Sequence, residues 1–420
     1  MDGELPDGWR KTTIGHVARV ETGGTPSRSN PEYWGGNIPW MSSGEVKLRR
    51  VRQTAEHITQ VGLDRSNAKL FPPGTVMVAL NGQGRTRGSV AVLEVQAACN
   101  QSLAAILPNS EVDGRFLFQN LSARYEELRS LTGDDARNGL NLHLMRSLPL
   151  LLPELCEQRG IARVLDAIDE AIEKTEAVIT ATEDVRKALL QELLTRGVPG
   201  WHTELKTVPG IGTIPACWEV VRLGEVATRV TDGVHQAVPF NDEGEIPFLF
   251  VSCITDGGID WRRAGRIARE TYSEITRSFR PTRGDVLYTA VGSYGNAALV
   301  DVEREFAFQR HIAVIRPKPN IASEFLALTL SSPLGRSQAD KVAVGNAQKT
   351  VTLDALKKFV LPLPPDEEQN RIAELLAAVD LRIATEQCQL EVLKRIKDLS
   401  ADALLSGRVR VPVREEDLSG

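Results

Sequence analysis

The amino-acid sequence predicts an α+β protein with an internal pseudo-two-fold repeat, in which two globular domains are separated by two long antiparallel coiled-coil helices. Three observations predict this fold. Motifs recur at an offset of about 210 residues through the 420-residue chain. Short apolar stretches bounded by Gly, Pro and Asn fill both halves, as is typical of strands and turns. Two acidic segments carry apolar residues at alternating spacings of four and three, as in coiled coils.

The duplication indicates that each half of the chain is built from the same elements in the same order. Trp9, near the start of the chain, corresponds to Trp218 in the second half, and the residues around the two tryptophans are similar. Glu157, near the start of the first acidic segment, is answered 211 residues later by Glu368, near the start of the second. Because the stretches between such anchors differ freely, the sequence predicts one scaffold carrying two diverged sets of loops.

Each globular domain is predicted to be β-rich with a small helical part. Short apolar stretches typical of strands occupy residues 75–80, 90–93, 285–289 and 312–315. Helices are predicted at residues 116–131 and 323–330. Because strands and helices do not alternate regularly, the sequence does not favour a nucleotide-binding parallel sheet.

The two acidic segments, residues 154–197 and 365–406, are predicted to form the long helices. A rise of about 1.5 Å per residue gives each helix a length of roughly 60 Å. Such helices cannot bury their apolar seams alone, so we expect them to pack against each other; the alternative is that each folds back on its own domain. The predicted seam residues are Ile161, Leu165, Ile168, Ile172, Ile179, Leu189 and Leu193 in the first helix and Ile372, Leu376, Val379, Ile383, Leu390, Leu393 and Leu404 in the second.

Four polar residues occupy further positions of the same seams. They are Thr175 and Arg186 in the first helix and Glu386 and Lys397 in the second. Polar residues within a seam are typical of helices that select one register at some cost in stability. We therefore expect a specific helix pairing rather than the most stable one.

Charge is distributed unevenly along the chain, whose formal net charge is −5. Residues 154–197 hold ten acidic and six basic side chains, and residues 365–406 hold nine and five, so each segment carries −4. Because residues 407–420 are balanced, the globular parts together carry +3. This mildly basic balance permits nucleic-acid binding by the globular parts, although the net charge alone would argue against it.

Neither a membrane span nor an exported protein is expected. No apolar run approaches the ~18 residues of a membrane helix, and the first residues form no basic or apolar leader, so we expect a cytoplasmic protein. The cysteines form no C-x-x-C pair and have no histidine at ligand spacing; they are Cys99, Cys156, Cys217, Cys253 and Cys388. We therefore expect reduced thiols and no metal site.

No motif of the chain predicts catalysis. The Asn-Pro-Glu-Tyr stretch at residues 30–33 resembles the Asn-Pro-Pro-Tyr motif of adenine methyltransferases, but its third residue is Glu and no methyl-donor motif precedes it. The Gly-rich stretch at residues 82–88 has neither the dinucleotide nor the Walker spacing, so it predicts a turn that carries Arg85 and Arg87. The six histidines form no ligand cluster. We expect a chain with no catalytic residue and no cofactor of its own.

Nearly the full length of the chain resembles the DNA-specificity subunit of type I restriction–modification systems. No single motif is specific, but the motifs occur in the family's order and most occur twice. They are the opening Leu5-Pro6-Asp7-Gly8-Trp9, Thr22-Gly23-Gly24-Thr25-Pro26-Ser27, Ile38-Pro39-Trp40, Cys99-Asn100-Gln101-Ser102-Leu103, the Glu-Gln start of each long helix, and the ends Leu193-Leu194-Thr195-Arg196-Gly197 and Leu404-Leu405-Ser406-Gly407-Arg408.

This resemblance implies two target-recognition domains, residues 1–153 and 198–364, each reading one half of a bipartite double-stranded DNA target. It implies that the helices, residues 154–197 and 365–406, set the spacer between the half-sites and dock two methyltransferase (M) subunits, and that residues 407–420 form a tail. Restriction/translocase (R) subunits would join the complex, and partner subunits would bind S-adenosylmethionine, ATP and Mg. The chain itself would be non-catalytic. The alternative is a coiled-coil protein-interaction scaffold without sequence-specific DNA binding.

Loops that occupy matched positions but differ between the halves are the predicted DNA contacts. In the first half these residues are Thr22, Gly23, Gly24, Thr25, Ser27, Arg28, Arg85, Arg87, Asn100 and Gln101. In the second half they are Thr231, His235, Gln236, Ser293, Tyr294, Asn296, Arg310, Gln348 and Lys349. The alternative for each is a structural or solvated role, because loops carry polar side chains for those reasons too.

Overall fold

The fold was analysed in a computed structural model, which describes residues 5–82, 86–131, 140–255, 258–345 and 348–412. The chain divides into two compact units. Unit 1 consists of Met1–Ala177 and Cys388–Gly420, and unit 2 consists of Val178–Gln387. Because the boundaries between the units fall inside the long helices, each unit holds one globular part together with a portion of both helices. No helix of the described residues has the length and apolar character needed to cross a membrane.

The first half of the chain contributes short strands and helices followed by one long helix. Its strands are β1 (Arg10–Thr13), β2 (Ala18–Thr22), β3 (Trp34–Met41), β4 (Arg50–Val51), β5 (Glu56–Ile58), β6 (Leu70–Phe71), β7 (Val76–Ala79), β8 (Val90–Leu93), β9 (Ala97–Cys99), β10 (Leu103–Pro108) and β11 (Pro149–Leu152). Its helices are α1 (Ile14–Val17), α2 (Gln60–Asp64), α3 (Gly114–Ala123), α4 (Tyr125–Ser130), α5 (Leu142–Ser147) and the long α6 (Leu155–Arg196).

The second half follows a similar order and also ends in a long helix. Its strands are β12 (Leu205–Val208), β13 (Gly212–Pro215), β14 (Glu219–Arg222), β15 (Ala227–Asp232), β16 (Ile246–Leu249), β17 (Ile254–Thr255), β18 (Gly258–Ile259), β19 (Gly265–Ile267), β20 (Val286–Thr289), β21 (Ala297–Leu299), β22 (Ala307–Phe308), β23 (Ile312–Pro317) and β24 (Val360–Leu363). Its helices are α7 (Leu223–Val226), α8 (Arg269–Ile275), α9 (Ser323–Ser331), α10 (Pro333–Val342), α11 (Leu353–Lys357) and the long α12 (Asp366–Leu405).

Two sheets form the body of unit 1. The strands of the main sheet lie in the order β2-β10-β7-β8-β4, and those of the second sheet in the order β5-β3-β9-β6. β7 and β8 are buried along their whole length, which explains why they read as continuous apolar runs in the sequence. In addition, β1 pairs with β11, so the N-terminal strand lies next to the segment that leads into α6.

The sheets of unit 2 repeat this arrangement. Its main sheet has the order β15-β23-β20-β21, a second sheet has the order β19-β16-β22, and β14 pairs with β24. The register is repeated as well: Arg10 pairs with Leu152 in unit 1, and Glu219, 209 residues after Arg10, pairs with Leu363 in unit 2. The predicted α+β class and internal repeat are therefore confirmed.

The core of unit 1 joins its globular part to both long helices. Ile161 and Leu165 of α6 are fully buried in this core together with Phe116 of α3, and Leu404 of α12 enters it from the other long helix. Burial of one such side chain contributes about 1.5–3 kcal/mol. The first turns of α6 therefore pack on their own domain, while the helix pair also packs together.

Within unit 1 the two long helices run antiparallel. Lys394 of α12 pairs with Glu176 of α6 at 2.8 Å. Lys397, further along α12, donates a hydrogen bond to Asp169, which lies earlier in α6. Residue numbers therefore rise in one helix as they fall in the other.

Unit 2 contains the equivalent helix pairing. Arg186 of α6 donates a hydrogen bond to Asp380 of α12 at 3.1 Å through its Nη2 atom. Leu193, further along α6, shares a buried cluster with Ile372, which lies earlier in α12. The helix segments are thus antiparallel in this unit too, and its ion pair occupies the repeat positions of the Lys397 pair in unit 1.

All fourteen predicted seam residues are buried or half-buried. The four polar positions of the seam are also shielded: Thr175 and Glu386 are buried, and Arg186 and Lys397 are half-buried. Two of these polar residues form the ion pairs between the helices. A charged residue inside a seam specifies register because the wrong register leaves the charge buried without its partner.

The Glu of each Glu-Gln motif attaches a long helix to a tryptophan near the start of the same unit. Glu157 is buried and accepts hydrogen bonds from Trp9 Nε1 at 3.1 Å and from Arg410 Nη2 at 2.7 Å. Glu368 is buried and accepts one from Trp218 Nε1 at 2.8 Å. The paired Trp and Glu motifs of the sequence therefore meet in space, and their shared role is structural.

The Gln of the same motif attaches each long helix to a second element. Gln158 Oε1 accepts a hydrogen bond from the backbone N–H of Asp113 at 2.8 Å, just before α3. Gln369 Oε1 accepts one from the backbone N–H of Ala322 at 2.9 Å, just before α9. Both glutamines are buried, so the start of each long helix is fixed at two points on its globular part.

Candidate nucleic-acid interface

The predicted loops of unit 1 lie together at one end of its main sheet, because they connect the ends of neighbouring strands. β10 is antiparallel to both β2 and β7, so the start of β10 lies beside the ends of the other two strands. Residues 22–28 begin at the end of β2, Asn100 and Gln101 precede β10, and residues 82–88 follow β7. Thr22 Oγ1 donates a hydrogen bond to the carbonyl of Gln101 at 3.2 Å and so joins the first two loops.

Four of the predicted contact residues shape these loops. Gly23 and Gly24 are buried, and a Cβ atom at Gly23 would lie 2.0 Å from the carbonyl oxygen of Cys99. Asn100 Oδ1 accepts a hydrogen bond from the backbone two residues further on, at 3.1 Å. The hydroxyl of Thr22 donates to backbone carbonyls. These four residues therefore shape the framework of the loops.

Thr25, Ser27, Arg28 and Gln101 are the exposed members of the predicted set in this part of unit 1. Thr25 Oγ1 donates a hydrogen bond to Gln101 Oε1 at 2.7 Å, so the two loops present their side chains together. These residues combine a hydroxyl, an amide and a guanidinium group. Such groups supply the donors and acceptors needed to contact phosphates or base edges.

Arg28 is held in place by two neighbours. Its guanidinium carbon lies 3.9 Å from the centre of the Trp34 ring, and its Nη2 donates to Glu56 Oε2 at 2.9 Å. The hydrogen bonding between them raises the pKa of Arg28 and lowers the pKa of Glu56. Because the side chain remains 55% exposed, its orientation is restricted while its charge still faces solvent.

A polar cleft beside these loops contains residues that the sequence did not single out. The cleft has a volume of about 620 Å³ and is lined by Thr25, Ser27, Tyr33, Arg65, Ser66 and Asn67. A Cβ atom at Gly24 would lie 2.4 Å from the backbone of Asn67, so the turn after α2 packs closely on the loop after β2. The polar turn Arg65-Ser66-Asn67 was visible in the sequence, but its proximity to Thr25 is a product of folding.

The Gly-rich turn after β7 is described only in part. Arg85 lies outside the described residues, whereas Arg87 is half-buried. Gly82 has a φ of 138° and Gly88 a φ of 83°, which are conformations that favour glycine. The glycines therefore serve the turn, as the sequence predicts.

Unit 2 gathers its predicted loops in the same way. β23 is antiparallel to β15 and β20, so residues 231–236, residues 309–311 and residues 290–296 lie at one end of the main sheet. The backbone N–H of Gly292 also donates to the carbonyl of Lys349 at 3.0 Å, which adds residues 348–350 to the group. The topology thus unites loops that are more than 100 residues apart in the sequence.

Several predicted residues of unit 2 also have structural partners. Asn296 is half-buried; its Oδ1 accepts a hydrogen bond from Arg336 Nη2 at 2.9 Å, so it supports the turn. The Tyr294 hydroxyl donates to Asp340 Oδ1 at 2.7 Å. Thr231, at the end of β15, is half-buried.

The remaining predicted residues of unit 2 are exposed. They are His235, Gln236, Ser293, Arg310, Gln348 and Lys349. His235 Nε2 lies 2.8 Å from Asp232 Oδ2, and Arg310 Nε lies 3.4 Å from His311 Nε2. Imidazole, amide, hydroxyl and basic groups therefore meet at the loop end of this unit, in a combination different from that of unit 1.

The chemistry at both loop ends favours binding over catalysis. Among the described residues, no three His, Cys, Asp or Glu side chains form a group suited to a metal ion. The thiol of Cys99, next to the loop after β2, is buried, and burial raises its pKa to about 12, so it stays protonated at neutral pH. The loops present polar and basic groups at one end of the main sheet of each unit.

These features define a class of protein in which two like domains present unlike polar loops and two long helices complete each domain's core. The family model described as "Type I restriction modification DNA specificity domain" matches residues 6–181 and 215–395, which is most of the chain. The chain belongs to this family. It is a type I restriction–modification specificity subunit, and such subunits are non-catalytic and carry no catalytic cofactor of their own. The expectation of a non-enzymatic specificity subunit is confirmed, and the scaffold alternative is not favoured.

Curated relatives extend over the length of the chain. The MjaIX specificity subunit of Methanocaldococcus jannaschii is 23% identical over 417 residues, covering 97% of this chain and 95% of that protein. The EcoBI specificity subunit of Escherichia coli is 26% identical over 327 residues, covering 73% of this chain and 68% of that protein.

Solved structures show the same fold. The S subunit of a type I restriction–modification system from M. genitalium has a TM-score of 0.60 at 17% identity, covering 96% of this chain and 97% of that one. A chain from a structure of a type I restriction–modification system, studied for complex assembly and conformational transition, has a TM-score of 0.55 at 20% identity. It covers 97% of this chain and 100% of that one.

Proposed function

We propose that each unit reads one half of a bipartite double-stranded DNA target with the loops at the end of its main sheet. The observation that carries this proposal is that matched loop positions on one frame present different chemical groups. Two readers of unlike sequences need this difference, because base pairs are distinguished by the pattern of donors and acceptors at their edges. The proposed contacts are Thr25, Ser27, Arg28, Arg85, Arg87 and Gln101 in unit 1 and His235, Gln236, Ser293, Arg310, Gln348 and Lys349 in unit 2.

The recognition domains of this proposal are residues 1–153 and residues 198–364. The helices, residues 154–197 and 365–406, would set the gap between the half-sites, and residues 407–420 would form a tail. A spacer of paired helices suits this task, because readers that face the same side of the duplex are placed about one helical turn of DNA apart, ~34 Å.

The outer faces of the helices support the docking of methyltransferase subunits. On the part of α12 in unit 1, Val392, Ile396 and Leu399 are 53%, 43% and 62% exposed, and they share a helix face because their spacings are four and three residues. On α6, Val178 and Val185 are exposed one heptad apart. Large apolar side chains in a row on a helix surface mark a protein-binding face.

The partners of this proposal supply the chemistry that the chain lacks. Two methyltransferase subunits would bind S-adenosylmethionine, and restriction/translocase subunits would use ATP and Mg. A subunit of such a complex acts where cellular DNA lies, so we place it in the cytoplasm. The relative whose structure concerns complex assembly of a type I system supports this kind of partner.

Methylation mapping tests the proposed function directly. The chain is co-expressed with a type I methyltransferase subunit, and methylated adenines are mapped by long-read sequencing. We expect a single bipartite motif with two constant half-sites and a fixed gap. Exchanging residues 20–130 for the same segment of another specificity subunit should change one half-site and leave the other half-site and the gap unaltered. The absence of any motif, or a motif that survives the exchange unchanged, would refute the proposal.

Arg28→Ala is expected to weaken DNA binding of the methyltransferase complex. Loss of one good phosphate or base contact costs about 1–3 kcal/mol, which is roughly 5-fold to 150-fold in Kd. Fluorescence anisotropy with a duplex that carries the mapped motif, at one fixed salt concentration, measures the change.

Arg10→Ala is the matched control for Arg28→Ala. Arg10 is 52% exposed and pairs with Glu111, so its loss removes the same charge and a similar surface ion pair, but β1 lies outside the main sheet. We expect this variant to bind DNA within about twofold of the wild type, since a distant surface charge is largely screened. Equal losses in both variants would mean that Arg28 acts only through net charge.

A further inference from the structure

A buried ion network ties the globular part of unit 1 to both long helices. Asp166 of α6 is 3% exposed and lies 2.9 Å from Arg50 Nη2 of β4 and 2.5 Å from Arg115 Nη2 of α3. Gln119 Nε2 of α3 donates to Asp166 Oδ1 at 2.6 Å and to Asp169 Oδ2 at 2.8 Å. The edge strand of the main sheet and α3 are thereby joined to α6 beyond its first turns.

The same network reaches the second long helix. Asp169 is 4% exposed and accepts hydrogen bonds from Arg49 Nη2 at 2.9 Å and from Lys397 Nζ of α12 at 2.5 Å. Lys397 Nζ also donates to Gln119 Oε1 at 2.6 Å. Burial opposes the charged form of Asp169, but Arg49, Lys397 and Gln119 together hold its pKa below the ordinary value. Four elements are thus joined through buried or nearly buried carboxylate, amide and basic groups, with Arg49 and Arg115 about half exposed at the edge of the network.

Arg49 adopts an unusual backbone conformation within this network. Its φ of 59° is one that residues other than glycine rarely adopt. The backbone N–H of Val92 donates to the Arg49 carbonyl at 2.7 Å, and the Arg49 side chain reaches Asp169. Arg49 therefore combines a backbone conformation that favours glycine with a side-chain contact to Asp169.

The equivalent positions of unit 2 have lost the network. When β4 is matched to β18, α3 to α9 and α6 to α12, at offsets of 208, 209 and 211 residues, Arg50 corresponds to Gly258, Gln119 to Leu328 and Asp166 to Ala377. Arg49 corresponds to Gly257, outside the described residues. Arg115 and Lys397 correspond to Glu324 and Arg186. Glu173, whose Oε1 lies 3.7 Å from Arg50 Nε in unit 1, corresponds to Ala384. Only Asp380, the equivalent of Asp169, keeps its carboxylate, and it pairs with Arg186 of the other helix.

A cleft of about 1010 Å³ occupies the place of the network in unit 2. Its lining includes Gly258, Leu328, Ala377 and Ala384, each the equivalent of a network residue. In the part of the chain that the structure describes, residues 373–387 of α12 form no ion pair and no hydrogen bond with the globular part of this unit. The globular part of unit 2 therefore contacts the helix pair through apolar packing, in which Leu328 lies against the buried cluster that contains Leu190 and Leu376. The globular part of unit 1 adds polar contacts further along α6.

We propose that this ion network positions the first recognition domain rigidly on the helix pair and so sharpens the preference for one gap length, and that the second domain, which has apolar contacts in its place, is positioned less rigidly. The network residues are positioning residues, since they lie on the helix side of the domain and not in the loops proposed to contact DNA. This inference rests on the proposed DNA-reading function. Apolar packing is non-directional, whereas ion pairs and hydrogen bonds fix distance and angle, so we expect the remaining rotational freedom around the preferred gap to reside in unit 2.

Exchange of equivalent residues between the units tests this inference. One variant carries Arg50→Gly, Gln119→Leu and Asp166→Ala, which places the residues of unit 2 in unit 1. The reciprocal variant carries Gly258→Arg, Leu328→Gln and Ala377→Asp. Each is assembled with the methyltransferase and assayed on duplexes with constant half-sites and gaps from three base pairs shorter to three longer. The first variant should raise methylation of the off-by-one gaps relative to the preferred gap by roughly fivefold or more, and the reciprocal variant should lower it.

A merely structural role gives a different result. If the network only stabilises unit 1, its loss reduces methylation at every gap in proportion, and the shape of the gap profile stays the same; that outcome overturns the inference. If the first variant does not fold, the reciprocal variant alone tests the inference. A profile of methylation against gap length that is unchanged in the reciprocal variant overturns the inference as well. A wild-type complex that methylates no bipartite motif contradicts the proposed function itself.

Hydrogen exchange tests, in the absence of DNA, whether the ion network holds the globular part of unit 1 rigidly on the helix pair. The amide of Val92, bonded to the Arg49 carbonyl, is followed in the full complex. Gln119→Leu alone should speed its exchange by roughly fivefold or more, because the network that holds Arg49 in place loses a central member. Leu121→Ala, in the same helix and buried in the main core, is the comparison for general destabilisation. If the exchange rate of the Val92 amide is the same in Gln119→Leu as in the wild type, the network does not position the domain rigidly, whatever the methylation assays show.

Discussion

Glu368→Ala is expected to lower the free energy of unfolding of unit 2 by about 3–5 kcal/mol, because three hydrogen-bonding groups at a buried site lose their shared acceptor at about 1–3 kcal/mol each. Glu368 is 1% exposed and accepts hydrogen bonds from Trp218 Nε1 at 2.8 Å and from the backbone N–H of Val198 at 2.9 Å. His202 Nε2 lies 2.6 Å from the same carboxylate. Alanine leaves all three groups without this acceptor in a buried site, and each unsatisfied group is costly.

Urea unfolding of the full chain measures the change in the free energy of unfolding. A separate hydrogen-exchange measurement on the backbone amides of Trp218 and Val198 shows whether the change lies in unit 2. Glu367→Ala is the matched control, because Glu367 is the adjacent carboxylate in the first turn of α12 and is exposed. Exposed charge changes of this kind shift stability by no more than about 0.5 kcal/mol. Similar losses of stability in the two variants would show that the position of the charge near the helix start, and not its buried hydrogen bonds, is what matters.

Deleting one heptad from each long helix is expected to shorten the gap of the bipartite target while both half-sites stay the same. Removal of residues 176–182 and 387–393 takes equivalent heptads from the repeat and preserves the seam spacing in both helices. Seven residues at about 1.5 Å each shorten a helix by roughly 10 Å, which corresponds to about three base pairs of DNA. Long-read mapping of methylated adenines reads the gap directly.

A deletion from only one helix is the informative control. It shifts the seam of that helix relative to the other, so the ion pairs at Asp169 and Asp380 lose register and we expect loss of methylation rather than a new gap. If the double deletion changes a half-site, the helices take part in reading bases. If it leaves the gap unchanged, they do not set the spacer.

Much of the fold was predictable from the sequence, because its signals are local. Strands predicted at residues 75–80 and 312–315 are β7 (Val76–Ala79) and β23 (Ile312–Pro317). The helix predicted at residues 116–131 is two helices, α3 and α4, that meet at Arg124. Periodicity showed which residues share a face, but the break between α3 and α4 follows from packing, which local pattern does not contain.

The candidate site was predictable only at the level of loops. Matched loops with different chemistry identified the loops that hold Arg28 and Gln101, but only the strand pairing showed that these loops lie at one end of the main sheet. The same reasoning included Gly23, whose place is fixed by the Cys99 backbone, and missed Arg65, which lines the cleft beside Thr25. A polar loop residue has the same appearance in sequence whether its side chain meets solvent or a neighbouring carbonyl.

The sequence by itself determined the repeat, the apolar seam and the absence of catalytic motifs, because these are properties of residue type and spacing along the chain. Only the tertiary structure decided which polar residues meet. Glu157 accepts a hydrogen bond from Trp9, 148 residues away in the sequence, and Asp169 accepts one from Lys397, 228 residues away. Such partners are chosen by the packing of whole elements, since a buried charge is stable only where folding brings an opposite charge or a hydrogen-bond donor to it. For the same reason only the structure showed the ion network that joins the globular part of unit 1 to both long helices, and the cleft at the equivalent place in unit 2.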